Sequence, residues 1–240
     1  MRILAIDTAT ECCSAALLID GRVLMREALL ERGHAEHILP MVDALLREAR
    51  LPLRELSAIA FGRGPGAFTG VRLAASVTQG LAYGAAVPVV PISDLRAIAE
   101  RVLNEHPALD QVLVCTDARM REVYWAWFER GPAGYAVGVG EEHVGGAAEI
   151  AVPVGRSGQA TAQVGRFGAA GSGFAAYPEL RSTVAAPAAL ILESLRPHAR
   201  EVATLAAVEV AAGRVLPAEQ ALPHYLRDDV TQTPHAPSLN

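Results

Sequence analysis

The chain has 240 residues, about half of them hydrophobic, with a net charge of −5 and a pI near 5.8. That balance excludes a broad basic face that would grip nucleic acid unaided, and no apolar run reaches the roughly 18 residues of a membrane span. Three cysteines, two of them adjacent (Cys12 and Cys13), make no disulfide framework; a reducing cytoplasm is the expected setting.

MRILAID lacks the pattern of a secretory leader and reads as a buried first strand over 2–7. A second strand is expected at 13–19 and a third at 23–30, joined at Asp20-Gly21, a two-residue hairpin signal. HAEHILPMVDALLREAR (34–50) changes period: Ile38, Val42, Leu45, Leu46 and Ala49 form a helical stripe. SAIAF (57–61) is a short strand, followed by a glycine loop and a helix from Gly70. A strand is expected at 87–90 and a helix from Ser93, its N-cap, to Leu103. The pattern then restarts: QVLVCT (111–116) ends at Asp117, and EVYWAWF (122–128) follows. Residues 131–186 are rich in glycine and alanine, with short strands expected near 135–140 and 162–165. Helices are expected near 187–195 and 197–212, and a mobile polar tail from 226. The division is thus two related lobes, 1–102 and 103–215, with an extension over 216–240.

The loop FGRGPGAFTGVR (61–72) resembles a phosphate cradle but has no lysine after its last glycine. Its glycines suit either an anion at a helix N-terminus or a turn at Pro65-Gly66 that launches a closely packed helix capped by Thr69. In the first hairpin, Asp7 and Thr8 are placed either to seat a metal-bound phosphate or to satisfy their own turn; Ala9 stands where close phosphate approach favours glycine. Ser76, Gly80 and Gly84 recur every four residues in the following helix. Glycine there costs about 1 kcal/mol against alanine, so close packing, against helix 34–50 or a partner, is expected to offset it. His34 and His37, with Glu36, lack a further metal ligand and read as a capped helix start. No catalytic, cofactor or metal residue is expected. Asp117 and Arg119 are expected to pair or fix a turn.

ILAIDTAT (3–10), HAEHILP (34–40), GRGPGAFTGVR (62–72), GLA (80–82), SDLRAIA (93–99), TDARMREVY (116–124) and PHYLR (223–227) occur in that order. Together they resemble the bacterial TsaB family, also called YeaZ. The chain departs from the commoner pattern at Ala67, where Ser is usual, at Val71, where Leu is usual, and in the first turn at Ala9 and Thr10. The resemblance implies an α/β, two-lobed fold of the actin, Hsp70 and sugar-kinase type, with mixed sheets flanked by helices. It implies a non-catalytic subunit in forming N6-threonylcarbamoyladenosine at position 37 of tRNAs that read codons starting with A. The implied partners are the catalytic paralogue TsaD and the ATPase TsaE, with tRNA met only within the complex and a homodimer left open for the chain alone. Pairing would run through the first two helices, here carrying His34, Glu36, Ile38 and Leu39, then Arg72, Ala75, Ser76, Gln79, Gly80 and Tyr83.

Overall fold

The computed structural model describes residues 1–150, 167–184 and 188–227. Strands β1 (Arg2–Asp7), β2 (Cys12–Ile19) and β3 (Arg22–Leu29) form a meander. Asp20 and Gly21 turn it with φ of 47° and 86°, the left-handed pair a two-residue hairpin needs. Helix α1 (His34–Ala49) follows, then β4 (Ala58–Gly62), α2 (Phe68–Ala85) and β5 (Val89–Ile92). The sheet order is β3-β2-β1-β4-β5, antiparallel through the meander and parallel from β1 to β4 and β5.

The second half repeats this plan. After α3 (Asp94–Glu105) come β6 (Gln111–Arg119), β7 (Glu122–Arg130), β8 (Ala136–Gly145), β9 (Phe167–Ala170), α4 (Gly173–Ala176), α5 (Glu179–Val184), β10 (Ala188–Leu192) and α6 (Ala199–Ala211). The second sheet runs β8-β7-β6-β9-β10, with β6 parallel to β9 and β9 to β10. Two mixed five-stranded sheets of one strand order, flanked by helices, make the two-lobed actin, Hsp70 and sugar-kinase type of fold.

Four expectations are corrected. The helix expected at 187–195 is strand β10: AALIL is too short to show a period, and parallel pairing with β9 decides it. The strand expected at 87–90 starts at Val89, because Val87 N–H closes the end of α2 on Ala82 O and Ala86 turns left-handed. Helix α2 starts at Phe68 with Ala67 as N-cap, so Thr69 is no cap. Gly33 opens α1 in a left-handed conformation without a side-chain cap. The strand expected near 162–165 and the tail beyond 227 lie outside the described residues.

Side chains of β1 split by the pleat. Leu4 and Ile6 meet α1 and α2 on one face of the first sheet through Ile38, Val42, Leu45, Ala74, Ala75 and Ala82. On the other face, Ile3 and Ala5 meet Ala199, Val202, Ala203 and Ala206 of α6. Helix α3 packs its Leu95, Ile98 and Val102 on Val112 and Val114 of the second sheet. Each lobe therefore borrows a helix from the other half of the chain. Among the described residues, no helix is long and apolar enough to cross a membrane.

Candidate functional site

The glycine loop lies on the β1–β2 turn. Thr8 Oγ1 donates to Gly70 O at 2.6 Å, and Ala67 N–H donates to Ala9 O at 2.8 Å. A Cβ on Gly66 would stand 2.7 Å from Ala9 O, and one on Gly70 would press into the Thr8 carbonyl. The loop's amides are also engaged: Arg63 N–H on Ile92 O, Gly64 N–H on the Asp94 carboxyl. Hairpin backbone thus fills the space where a phosphate would approach α2, and three donors of the cradle point into the protein. The second lobe repeats the device, with Gly171 and Gly173 pressed against Cys115 O.

Beneath the loop lie two fully buried carboxyls. Asp7 Oδ1 accepts from Ala9 N–H at 2.9 Å. A Cβ on Gly62 would meet Asp7 Oδ2 at 3.1 Å and crowd Asp94 Oδ1; only glycine leaves room for both acids. Asp7 Oδ2 and Asp94 Oδ1 meet no other donor among the described residues, and a proton held by Asp94 and shared with Asp7 satisfies both. Burial raises both acids, and the neighbouring Asp7 charge lifts Asp94 well above the carboxylate range. The folded state therefore holds protons that the unfolded state releases. This contribution to stability is fully present below the ordinary Asp range and is lost as pH rises through the folded values. Asp94→Asn keeps both bonds, its Oδ1 accepting from Gly64 and its Nδ2 donating to Asp7, without the second acid. Denaturation midpoints of the variant and parent should match near pH 4 and separate in favour of the variant as pH rises towards 8; parallel profiles would refute the shared proton.

Helix α2 turns Ala74, Ala75, Thr78 and Ala82 to the sheet and exposes Phe68, Arg72, Ser76, Gly80, Tyr83 and Gly84. The stripe expected to pack on α1 does not: a Cβ on Gly80 or Gly84 would find nothing within 4 Å among the described residues. Tyr83 is 78% exposed and Leu39, on the outer side of α1, 48%. His34, Glu36, Leu39, Arg72, Ser76, Gln79, Gly80 and Tyr83 all reach the outer side of the two helices, fully or in part. Ile38 and Ala75 do not; both are spent in the core, 0% and 3% exposed, so they leave the candidate face.

Residues that sequence reading missed support this face. The segment 216–227 crosses the first lobe, with Leu216 bridged to Val89 and His224 N–H on Arg63 O at 2.8 Å. Gln79 Nε2 donates to Glu219 O at 3.2 Å. Arg72 Nε donates to Tyr225 Oη at 2.6 Å while its guanidinium lies 3.5 Å above the Phe68 ring. Arg227 then reaches Glu122 in the second lobe. PHYLR was visible as a motif; its seat on α2 was not.

Elsewhere the polar groups serve the fold. His34 Nε2–H donates to Thr10 O and His37 Nδ1–H to Gly33 O, both at 2.8 Å, which fixes the orientation of each ring at the start of α1. Asp117 both fixes its turn, accepting from Arg119 N–H at 2.8 Å, and pairs with the Arg119 guanidinium at 3.0 Å. Arg119, Met120 and Arg121 are all left-handed, with φ of 62°, 56° and 62°, which the sequence did not signal. A cleft of about 700 Å³ between the lobes is lined by Arg63, Arg96, Trp127, Glu142, Glu209 and His224. Its arginines are matched by carboxylates, Arg63 by Glu142 at 3.3 Å and Arg96 by Glu209 at 2.8 Å.

Comparison with known proteins adds to this geometry. The family profile described as "TsaD: tRNA N6-adenosine threonylcarbamoyltransferase" matches residues 28–234. The tRNA threonylcarbamoyladenosine biosynthesis protein TsaB of Escherichia coli is 39% identical over 233 residues, 96% of each chain. Its Haemophilus influenzae counterpart is 48% identical over 126 residues, covering 52% of this chain and 53% of that one. A solved structure, YeaZ from Pseudomonas aeruginosa, superposes with a TM-score of 0.82 at 42% identity, covering 94% of this chain and 99% of that one. With a TsaB relative matched nearly end to end and a YeaZ structure reproducing both lobes, the chain belongs to the TsaB (YeaZ) family.

Proposed function

We propose that this chain is the non-catalytic scaffold subunit of the assembly that forms N6-threonylcarbamoyladenosine at position 37 of tRNAs reading codons that start with A. It pairs with a TsaD-type catalytic paralogue through the outer sides of α1 and α2, and a TsaE-type ATPase joins the pair. The single observation that carries this reading is the open Gly80–Gly84 stripe. Two exposed helical glycines forfeit about 1 kcal/mol each against alanine, and nothing among the described residues packs on them to offset that. Close approach of a partner's backbone does, with Leu39, Tyr83 and the ring-held Arg72 around it.

The non-catalytic role is supported by the engaged loop amides and by Asp7, which is committed to Ala9 and Asp94 rather than to a metal-bound phosphate. The relatives named above are biosynthesis proteins for this tRNA modification. An acidic chain meets tRNA only within the complex, in the cytoplasm. In the absence of the paralogue the same face admits a homodimer. The chain divides for this role into lobes 1–102 and 103–215 and an extension, 216–240, whose first part braces α2.

Size-exclusion chromatography of the tag-free chain mixed with the paralogue from the same organism should give one co-eluting species. The chain alone should not turn over ATP. Separate elution would sink the scaffold reading; ATP turnover by the pure chain, lost on Asp7→Ala, would favour an enzyme acting alone.

A further inference from the structure

The meander and the start of α6 bring together three residues that are far apart in sequence. Cys12 and Ser14 lie on the face of β2 that turns to α6, and Glu27 of β3 stands opposite Ser14 in register. His198, in extended conformation, is the residue before α6. It is set in place because the next amide, Ala199 N–H, donates to Ser14 Oγ at 3.0 Å. One ligand atom each from Cys12, Glu27 and His198 then lie within 4.8 Å of one another, with His198 Nδ1 and Glu27 Oε2 at 3.4 Å.

We propose that Cys12, Glu27 and His198 form a binding site for a zinc-class divalent cation. Sulfur, imidazole nitrogen and carboxylate oxygen together form a donor set of the kind such borderline-soft ions take. Bonds of about 2.0–2.3 Å in a tetrahedron put ligand atoms roughly 3.3–3.7 Å apart. Closing the site therefore asks the three side chains to draw in by only about 1 Å. His198 Nδ1 faces Glu27 Oε2 and offers its lone pair to the ion. The Cys12 thiol gives up its proton to solvent as the sulfur–metal bond forms. Thiolate and carboxylate then neutralise both charges of the ion in a half-buried place. Glu27 is exposed, which leaves the fourth position open to water. The bound ion would pin the start of α6 to the first sheet, beside the Ser14–Ala199 bond that already spans 185 positions.

This site is independent of the partner face, and it departs from the expectation of no metal drawn from the sequence, which weighed His34, His37 and Glu36. The test uses tag-free protein stripped by chelator, then titrated with Zn(II) by equilibrium dialysis and with Co(II) by near-ultraviolet absorbance. One equivalent of Zn(II) should bind, and Co(II) should give a thiolate charge-transfer band. Cys12→Ala should abolish the band, and Glu27→Gln, at an exposed position that folding tolerates, should weaken Zn(II) binding at least about tenfold. Cys13→Ala, Cys115→Ala and His34→Ala should leave both readouts unchanged. Absence of stoichiometric binding, or binding that survives both Cys12→Ala and Glu27→Gln, overturns the site; loss on His34→Ala instead places the ion elsewhere and also overturns it.

Discussion

Gly80→Leu should leave the isolated chain as stable as before, or more so, and weaken its pairing with the TsaD-type paralogue roughly 30-fold. Inside α2 a leucine gains about 0.8 kcal/mol of helix propensity over glycine, and at Gly80 the added Cβ meets nothing within 4 Å among the described residues. On a partner's backbone docked along Ser76, Gly80 and Gly84 the same side chain has no space. Overpacking of that kind costs about 1–3 kcal/mol, so a central value of about 2 kcal/mol weakens binding roughly 30-fold. Thermal melting beside a binding titration separates the outcomes. Unchanged affinity would remove the outer side of α2 from the proposed interface. A lowered melting temperature would mean that the stripe has a neighbour within the chain after all.

At Gly70 the opposite is expected: Gly70→Ala should destabilise by about 3 kcal/mol, at the upper end for overpacking. The new Cβ would lie 3.0 Å from the Thr8 carbonyl carbon and closer still to its oxygen. Both are backbone atoms, so no rotamer change relieves the clash. Helix α2 would have to slide off the β1–β2 turn, stretching the Thr8 Oγ1–Gly70 O and Ala67 N–Ala9 O bonds. For a chain of this size that is roughly 6–12 °C in melting temperature. Gly84→Ala is the internal control. It makes the same chemical change in the same helix, meets nothing within 4 Å among the described residues, and should raise stability by up to about 1 kcal/mol. Two glycine-to-alanine changes of one sign would show that the loop does not owe its glycines to this close approach.

Sequence reading was strongest where the signal is local. Ile38, Val42 and Leu45 gave the buried side of α1, Asp20-Gly21 gave the β2–β3 hairpin, and Ser93 caps α3 by accepting from Arg96 N–H at 3.2 Å. It failed where two readings share one local pattern. Helix α2 carries two small-residue stripes at a spacing of four: Ala74, Thr78 and Ala82, and Ser76, Gly80 and Gly84. They stand two positions apart, about 200° around the helix, so composition cannot say which one the sheet takes. The sheet took the first. AALIL at 188–192 has the same difficulty, since a five-residue apolar run carries no period and only its partner β9 makes it a strand. Long-range placements were out of reach altogether. The Thr8–Gly70 bond spans 62 positions, and the Asp7–Asp94 pair and the seat of Tyr225 on Arg72 depend on strands and helices meeting that no short window contains.

The Tyr225–Arg72 bond spans 153 positions, and this has a meaning for the order of synthesis. Chains fold from the N-terminal side as they are made, so α1, α2 and the first three strands of their sheet exist long before residue 225 leaves the ribosome. Until then Arg72 has the Phe68 ring on one side and no hydroxyl to hold its Nε, and Gln79 lacks the Glu219 carbonyl. The outer side of α2 acquires its final arrangement only when translation has passed the second lobe and reached the bracing segment. A nascent or prematurely terminated chain therefore displays an unfinished outer side of α2, and a built-in delay separates making the first lobe from completing the face proposed for pairing.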